Sequence, residues 1–329
     1  MADIVSTTPG LYPLPDWAKE DLRERKGNQK EDLVDGTEGS AVSETYATVR
    51  EELIARQKTA GLDRVVEGQA RWDDMLAHPL AVHDSVETRG LVRYYDNNNF
   101  YREPVVTGEL TTDGDVAAEL TAAAEHADSL QAVLPGPYSL AELATDEYYG
   151  DEAAFLDAVA AFLAGEAEQF PAIETLFLLD PSLVTDPPED DDTHERLPAA
   201  IDTVADAVEA DVVVYPYWGA LPEKTYASVM DADIDALGFD LVSEPDTNVY
   251  NAQEYGTPDD VALGVVDGQN TRVESPDTIR ERVDRFDRQT PEVGRVYATT
   301  NTGLFYLPVN RFEETLDTLG AVARQEVVA

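Results

Sequence analysis

Asp211-Val212-Val213-Val214-Tyr215-Pro216-Tyr217-Trp218-Gly219 is the stretch on which the fold turns. Its β-branched run has no polar alternation, the pattern of a strand covered on both faces, and Pro216–Gly219 breaks it before a helical pattern at Pro222–Met230. The same grammar repeats in both directions. Further strands are predicted at Ile4–Thr8, Arg64–Glu67, Gln131–Leu134, Thr175–Leu179, Leu237–Val242, Val261–Val266 and Arg295–Thr299, making eight with Asp211–Tyr215. Helical patterns lie at Ala41–Ala60, Asp115–Ala127, Asp151–Gln169, Leu197–Glu209, Pro276–Arg285 and Arg311–Gln325. Eight alternating units predict an α/β fold, a (β/α)8 barrel over residues 1–329 without a linker or internal repeat. A doubly wound open sheet is the competing architecture, but neither G-x-G-x-x-G nor a Walker A motif is present.

Several boundaries carry their own chemistry. Ser139-Leu140-Ala141-Glu142 reads as a capping box, Ser275-Pro276 as an N-cap before a first-turn proline, and Asn310 with Glu313 as a further cap. The aromatic and β-branched segment at about 90–110, after the second strand, predicts a hairpin over the barrel mouth, with Tyr94, Tyr95, Phe100 and Tyr101 packing on the barrel or stacking on a flat ligand. The acidic segment at about 181–198 predicts a long solvated loop.

Composition narrows the function. The chain has 67 Asp+Glu against 23 Lys+Arg, a net charge of −44 spread along its length, and only five of the basic residues are Lys. Such a field repels phosphate backbones and anionic lipid, so neither nucleic acid nor membrane is an expected partner. At molar salt the Debye length is about 3 Å and the self-repulsion is screened, so a halophilic, cytoplasmic protein is expected. Zero Cys excludes disulfides and thiolate chemistry. No apolar run of membrane-spanning length occurs and no charged-then-apolar pattern opens the sequence, so neither a membrane span nor a secretory signal is expected.

In a barrel, function sits where strands end. The candidate ligand-binding residues there are Tyr12, Gln69, Arg71, Asp180, Tyr215, Tyr217, Trp218, Asp240, Gln269, Asn270 and Thr302. Amides, phenols and hydroxyls make a binding mouth rather than an acid–base machine, and no catalytic residue is assigned. The four histidines, His78, His83, His126 and His194, lack the spacing of a helical metal pair and read as structural. The adjacent Asp73-Asp74 reads as chance in so acidic a chain.

Taken in order, these motifs resemble the zinc domain of cobalamin-independent methionine synthase, in particular its short archaeal core form. Thr7-Thr8-Pro9-Gly10-Leu11-Tyr12-Pro13-Leu14-Pro15-Asp16-Trp17 is similar to the family's T-T-x-G-S-[YF]-P-x-P-x-W start. Ala60-Gly61-Leu62-Asp63 with Val65-Val66-Glu67-Gly68-Gln69-Ala70-Arg71-Trp72-Asp73-Asp74-Met75 resembles A-G-L-D-x-[LIV]-x-[DH]-G-E-x-x-R-x-D-M. Asn99–Gly108, Leu134–Ser139 and Gly264–Asp267 continue the likeness.

The resemblance implies a zinc ion that holds homocysteine as a thiolate. The family's H-x-C pair falls on Tyr215 and Tyr217, its acidic ligand on Asp240, and its last Cys on Thr302. Around the mouth its Ser, Glu, Asp and His fall on Leu11, Gln69, Leu179 and Gln269. One ligand position of four remains able to bind metal, so no metal or other cofactor is expected on this chain. The expectation is a zinc-less partner of a zinc-containing core methionine synthase subunit, orienting a methyltetrahydrofolate-type donor. The zinc-less N-terminal barrel of the long, two-barrel methionine synthases is the precedent. In this picture Arg71 and Arg102 would meet an anionic tail. A stand-alone 5-methyltetrahydropteroyltriglutamate–homocysteine methyltransferase with an altered metal site is the first alternative. A metal-free uroporphyrinogen decarboxylase-like enzyme is the second, and Pro9–Trp17 offers it Asp16 but no Arg.

Overall fold

The computed structural model describes residues 3–24, 29–34, 36–94, 99–112 and 114–324. The chain-ordered strands are β1 Asp3–Ser6, β2 Val65–Val66, β3 Val86–Arg93, β4 Phe100–Val106, β5 Leu130–Pro135, β6 Thr145–Asp146, β7 Thr175–Leu179, β8 Asp211–Tyr215, β9 Ala236–Asp240, β10 Asp260–Val266 and β11 Arg295–Thr300. Eight of them form one sheet in the order β1-β11-β10-β9-β8-β7-β5-β2. Its strand pairs are parallel throughout the described residues. β7 is buried along its whole length, as a sheet sandwiched between helices and its own interior requires.

The two ends of the sheet meet through short contacts instead of a full ladder. The amides of Asp63 and Arg64 both donate to the Ser6 carbonyl at 3.1 Å. The Ser6 amide and hydroxyl donate to Asp63 Oδ2 at 2.8 and 2.7 Å. Higher up, Thr7 Oγ1 donates to Gln131 Oε1 at 2.7 Å, and Gln131 Nε2 donates to the Thr8 carbonyl at 2.8 Å. β2 is only two residues long. Gln57, from the helix Ser40–Ala60, supplements it by accepting from Val66 N at 2.9 Å and donating to Val66 O at 2.7 Å. No described helix is long and apolar enough to cross a membrane.

The eight predicted strands form the barrel sheet, with ends that differ by a few residues. The hairpin is β3–β4, antiparallel, and β6 joins β4 in a separate three-stranded sheet. It therefore begins at Val86, earlier than its aromatic composition indicated; Tyr95 lies outside the described residues.

Three local expectations are corrected. Residues 181–198 are not one long loop, because helices occupy Ser182–Thr185 and Asp191–Ala205, the second capped by Asp190 Oδ1 accepting from Thr193 N at 2.7 Å. Ser139 is not an N-cap: its helix starts at Pro137, and its hydroxyl turns to Asp180. Asn310 lies inside the helix Val309–Arg324 instead of capping it. Ser275 does cap, its Oγ accepting from Thr278 N at 3.2 Å.

Candidate functional site

The centre of the mouth is filled by Tyr215, the last residue of β8. Its ring lies against β9 and β10, where Gly238 and Gly264 leave room: a Cβ at Gly238 would collide with the ring, and one at Gly264 would lie 2.6 Å from the phenol oxygen. The hydroxyl donates to the Thr300 carbonyl at 2.7 Å. Burial, then the charge of Asp240, raise this phenol well above its usual range, so it stays a neutral donor. Tyr217 is buried, with its ring centre 4.7 Å from that of Trp218 in a T-shaped contact.

Asp240 closes β9 with its carboxylate already engaged. Oδ1 accepts from Val242 N at 2.9 Å and Ser243 N at 2.8 Å, and Asn301 Nδ2 approaches both oxygens at 3.2 and 3.3 Å. Thr302 donates its hydroxyl to the Gly303 carbonyl at 3.1 Å. Zinc takes thiolate, imidazole or carboxylate in a tetrahedral set. Two phenols and a hydroxyl, each buried, with a carboxylate committed to backbone amides, do not fit it. Among the described residues no three His, Cys, Asp or Glu are grouped to hold a metal ion.

Asp180 follows β7 directly and is fully buried. Ser139 N and Oγ donate to its Oδ1 at 2.7 and 2.5 Å, while Oδ2 has no partner among the described residues. Burial pushes this acid up to about 7. Gln269 and Asn270 are exposed on the rim, where both amides donate to Asp267 Oδ1 at 2.9 and 3.1 Å.

The other side of the mouth is strained. Leu11, Gln69 and Trp218, with φ of 56°, 49° and 72°, are the non-glycine residues in the left-handed region among the described residues, and all three follow barrel strands. Strain of this kind gathers at binding sites, where the surrounding structure must hold it. Gln69 Oε1 accepts from Leu11 N at 2.8 Å, tying the first loop to the second; any Cβ at Gly10 would strike that carboxamide. Tyr12 OH receives from Thr8 Oγ1 at 2.6 Å and donates to Gln57 Oε1 at 3.0 Å. Behind them Glu67, 4% exposed, accepts from Gln69 N at 2.8 Å. Burial, then Glu119, push Glu67 up to about 8 against the pull of Arg50.

The arginines near the mouth are engaged. Arg71 reaches Asp115 at 2.8 Å and Glu38 at 3.3 Å, and Arg102 reaches Asp73 at 3.0 Å. His78 is fully buried, with Asp73 N donating to its Nδ1 at 3.1 Å and its Nε2 lying 3.0 Å from Asp115 Oδ2.

Between this side of the mouth and the hairpin lies a cleft of about 200 Å³, lined by Leu11, Tyr12, Leu14, Gln69, Ala70, Trp72, Asp73, Asp74, Met75, Asn99, Phe100 and Phe305. The thioether of Met75 receives Asn99 Nδ2 at 3.8 Å and Tyr306 OH at 3.7 Å, drawing the hairpin and the loop after β11 together. Sequence reading passed over Glu67, Met75 and Phe305. Position at a strand end marks the first, and nothing local marks the other two. A larger groove of about 620 Å³ follows β5 and β7, and its carboxylates, Glu142, Asp146, Asp151, Glu152, Asp186, Glu189 and Asp190, have no basic residue among them.

A parallel α/β ring with strained backbone positions and polar side chains gathered at the carboxyl ends of the strands is a (β/α)8 barrel built around a mouth. The profile of the family described as "Cobalamin-independent synthase, N-terminal domain" matches residues 82–290. Curated relatives include the methionine synthase of Sulfolobus acidocaldarius, 23% identical with 94% of this chain and 89% of that protein covered, and that of Saccharolobus solfataricus, 23% identical with 91% and 87% covered. Among solved structures, a B12-independent methionine synthase from Shewanella sp. W3-18-1, in complex with selenomethionine, superposes with a TM-score of 0.81 at 16% identity over 100% of this chain and 99% of that one. A protein from Listeria monocytogenes, described as a putative vitamin-B12 independent methionine synthase, gives 0.69 at 16% identity, with 99% and 98% covered. The chain belongs to the cobalamin-independent methionine synthase family.

Proposed function

We propose that this chain serves methionine biosynthesis as a zinc-less partner of a metal-bearing barrel of its own family, where homocysteine takes a methyl group from a methyltetrahydrofolate-type donor. The observation that carries this reading is the barrel centre: Tyr215 occupies it between Gly238 and Gly264, with its hydroxyl committed to the Thr300 carbonyl. Without a ligand set for zinc, this mouth has no means of holding a sulfur as its thiolate. Its neutral donors and aromatic walls are suited to binding and orienting. The match to the family's N-terminal domain supports the same role.

The test is purification from the native source in molar KCl. A co-purifying chain with an H-x-C motif and no stoichiometric zinc on this chain are expected, with methyl transfer only when both are combined. One zinc per isolated chain, or turnover of homocysteine by this chain alone, overturns the proposal.

A further inference from the structure

We infer that the cleft between the helices Pro245–Tyr255 and Pro276–Gln289 binds a small aliphatic carboxylate, its head on Arg282 and Arg285 and its body on Leu241, Val249 and Phe286. The site needs neither the partner nor the methyl donor proposed above.

One helix face builds the cleft. Arg282, Arg285 and Phe286 stand at i, i+3 and i+4 and so share a side of their helix. Pro245 and Val249 line the cleft from the neighbouring helix, and Leu241 and Val242 from the turn after β9. Leu241, Val249 and Phe286 belong to the buried core, so the floor is apolar. The space is about 180 Å³. A cavity of about 150 Å³ holds a benzene ring, so this one takes a body of about six carbons.

Charge selects the head. No Asp or Glu lines the cleft, in a chain that has 67 of them, whereas two of its lining residues are Arg. Both guanidiniums keep donors in hand. Arg282 donates from Nη1 to the Val265 carbonyl at 2.6 Å and to Glu274 Oε2 at 2.7 Å, and from Nη2 to Glu274 Oε1 at 2.6 Å. A guanidinium carries five N–H donors, so Nε and one hydrogen of Nη2 are left without a partner among the described residues. Arg285 donates from Nε to Gln289 Oε1 at 3.3 Å and from Nη2 to Asp246 Oδ1 at 2.5 Å, which leaves Nη1 unused.

Asp246 is 87% exposed, so water competes for its pair with Arg285 and a ligand carboxylate can take its place. A planar carboxylate matches the guanidinium fork with two parallel bonds. The net charge of −44 does not repel such a ligand at molar salt, where the Debye length is about 3 Å and only adjacent groups are felt.

The experiment is a ligand-observed NMR titration of the full chain in molar KCl with hexanoate, 1-hexanol, hexylamine and inorganic phosphate. Hexanoate should bind saturably, and the other three at least tenfold more weakly. Arg285→Gln, at an exposed position, should weaken hexanoate at least fivefold with the circular dichroism spectrum unchanged. Val242→Phe fills the cleft from a turn, keeps the backbone amide that Asp240 accepts, and should abolish saturable binding. Absence of saturable hexanoate binding, hexanol, hexylamine or phosphate binding as tightly as hexanoate, or a folded Arg285→Gln or Val242→Phe chain with unaltered hexanoate affinity overturns the inference.

Discussion

Glu67 shows how one residue can link the mouth to stability. Its carboxyl is pushed from 4.5 up to about 8, first by burial and then by Glu119. Between those values the folded chain keeps a proton that the unfolded chain releases, so folding stability falls as pH rises. From pH 6 to pH 8 this one group should remove up to about 2 kcal/mol, read as the shift in free energy from urea unfolding. Glu67→Gln retains the acceptor for Gln69 N and should flatten that slope. An unchanged slope in the variant would show that the proton resides elsewhere. The same direction applies to Asp180, pushed up to about 7 by burial.

At the scale of elements, the loops after β1, β2 and β11 make the site, and the helices hold those loops at fixed angles. The long helix Ser40–Ala60 ends at Gly61, whose φ of 81° lets its N–H return to Gln57 O at 3.0 Å and turns the chain into β2. Gln57 then bonds both Val66 and Tyr12, so helix position sets strand position and the phenol above it. The helix Pro276–Gln289 depends on its Ser275 cap. Ser275→Ala should cost about 1 kcal/mol in chemical denaturation, because one amide at the helix start loses its acceptor. A loss within error would mean that solvent serves that amide equally well.

For the whole molecule the dominant force outside the core is self-repulsion. A net charge of −44 acts across a Debye length of about 10 Å at 0.1 M salt and about 3 Å at 1 M. The melting temperature should therefore fall as KCl is lowered from about 2 M to about 0.1 M. A melting temperature independent of KCl would place the carboxylates in local ion pairs instead. The pairs with arginine that cross between elements, such as Arg50 with Glu119 and Arg282 with Glu274, use a small fraction of the acids and leave most of that field in place.

The amino-acid order by itself determined the barrel, because two-sided burial writes an uninterrupted apolar run into each strand, and Asp211–Tyr215 and Thr175–Leu179 need no distant partner to be recognised. It also placed tyrosines and a threonine at the strand ends, which is enough to set aside a thiolate or imidazole there. Caps were less legible: Ser275 obeyed its local pattern, while Ser139 was taken by a carboxylate 41 residues away. Only the tertiary structure decided that Tyr215 fills the barrel axis, that Arg71 and Arg102 are already engaged, and that Asp74, Phe100 and Phe305 share one cleft. Strand identity depends on neighbours one and two positions away, whereas a cleft depends on atoms brought together from 231 residues apart, as Tyr306 is brought to Met75. That distance is closed by the packing of the ring, and no local sequence period records it.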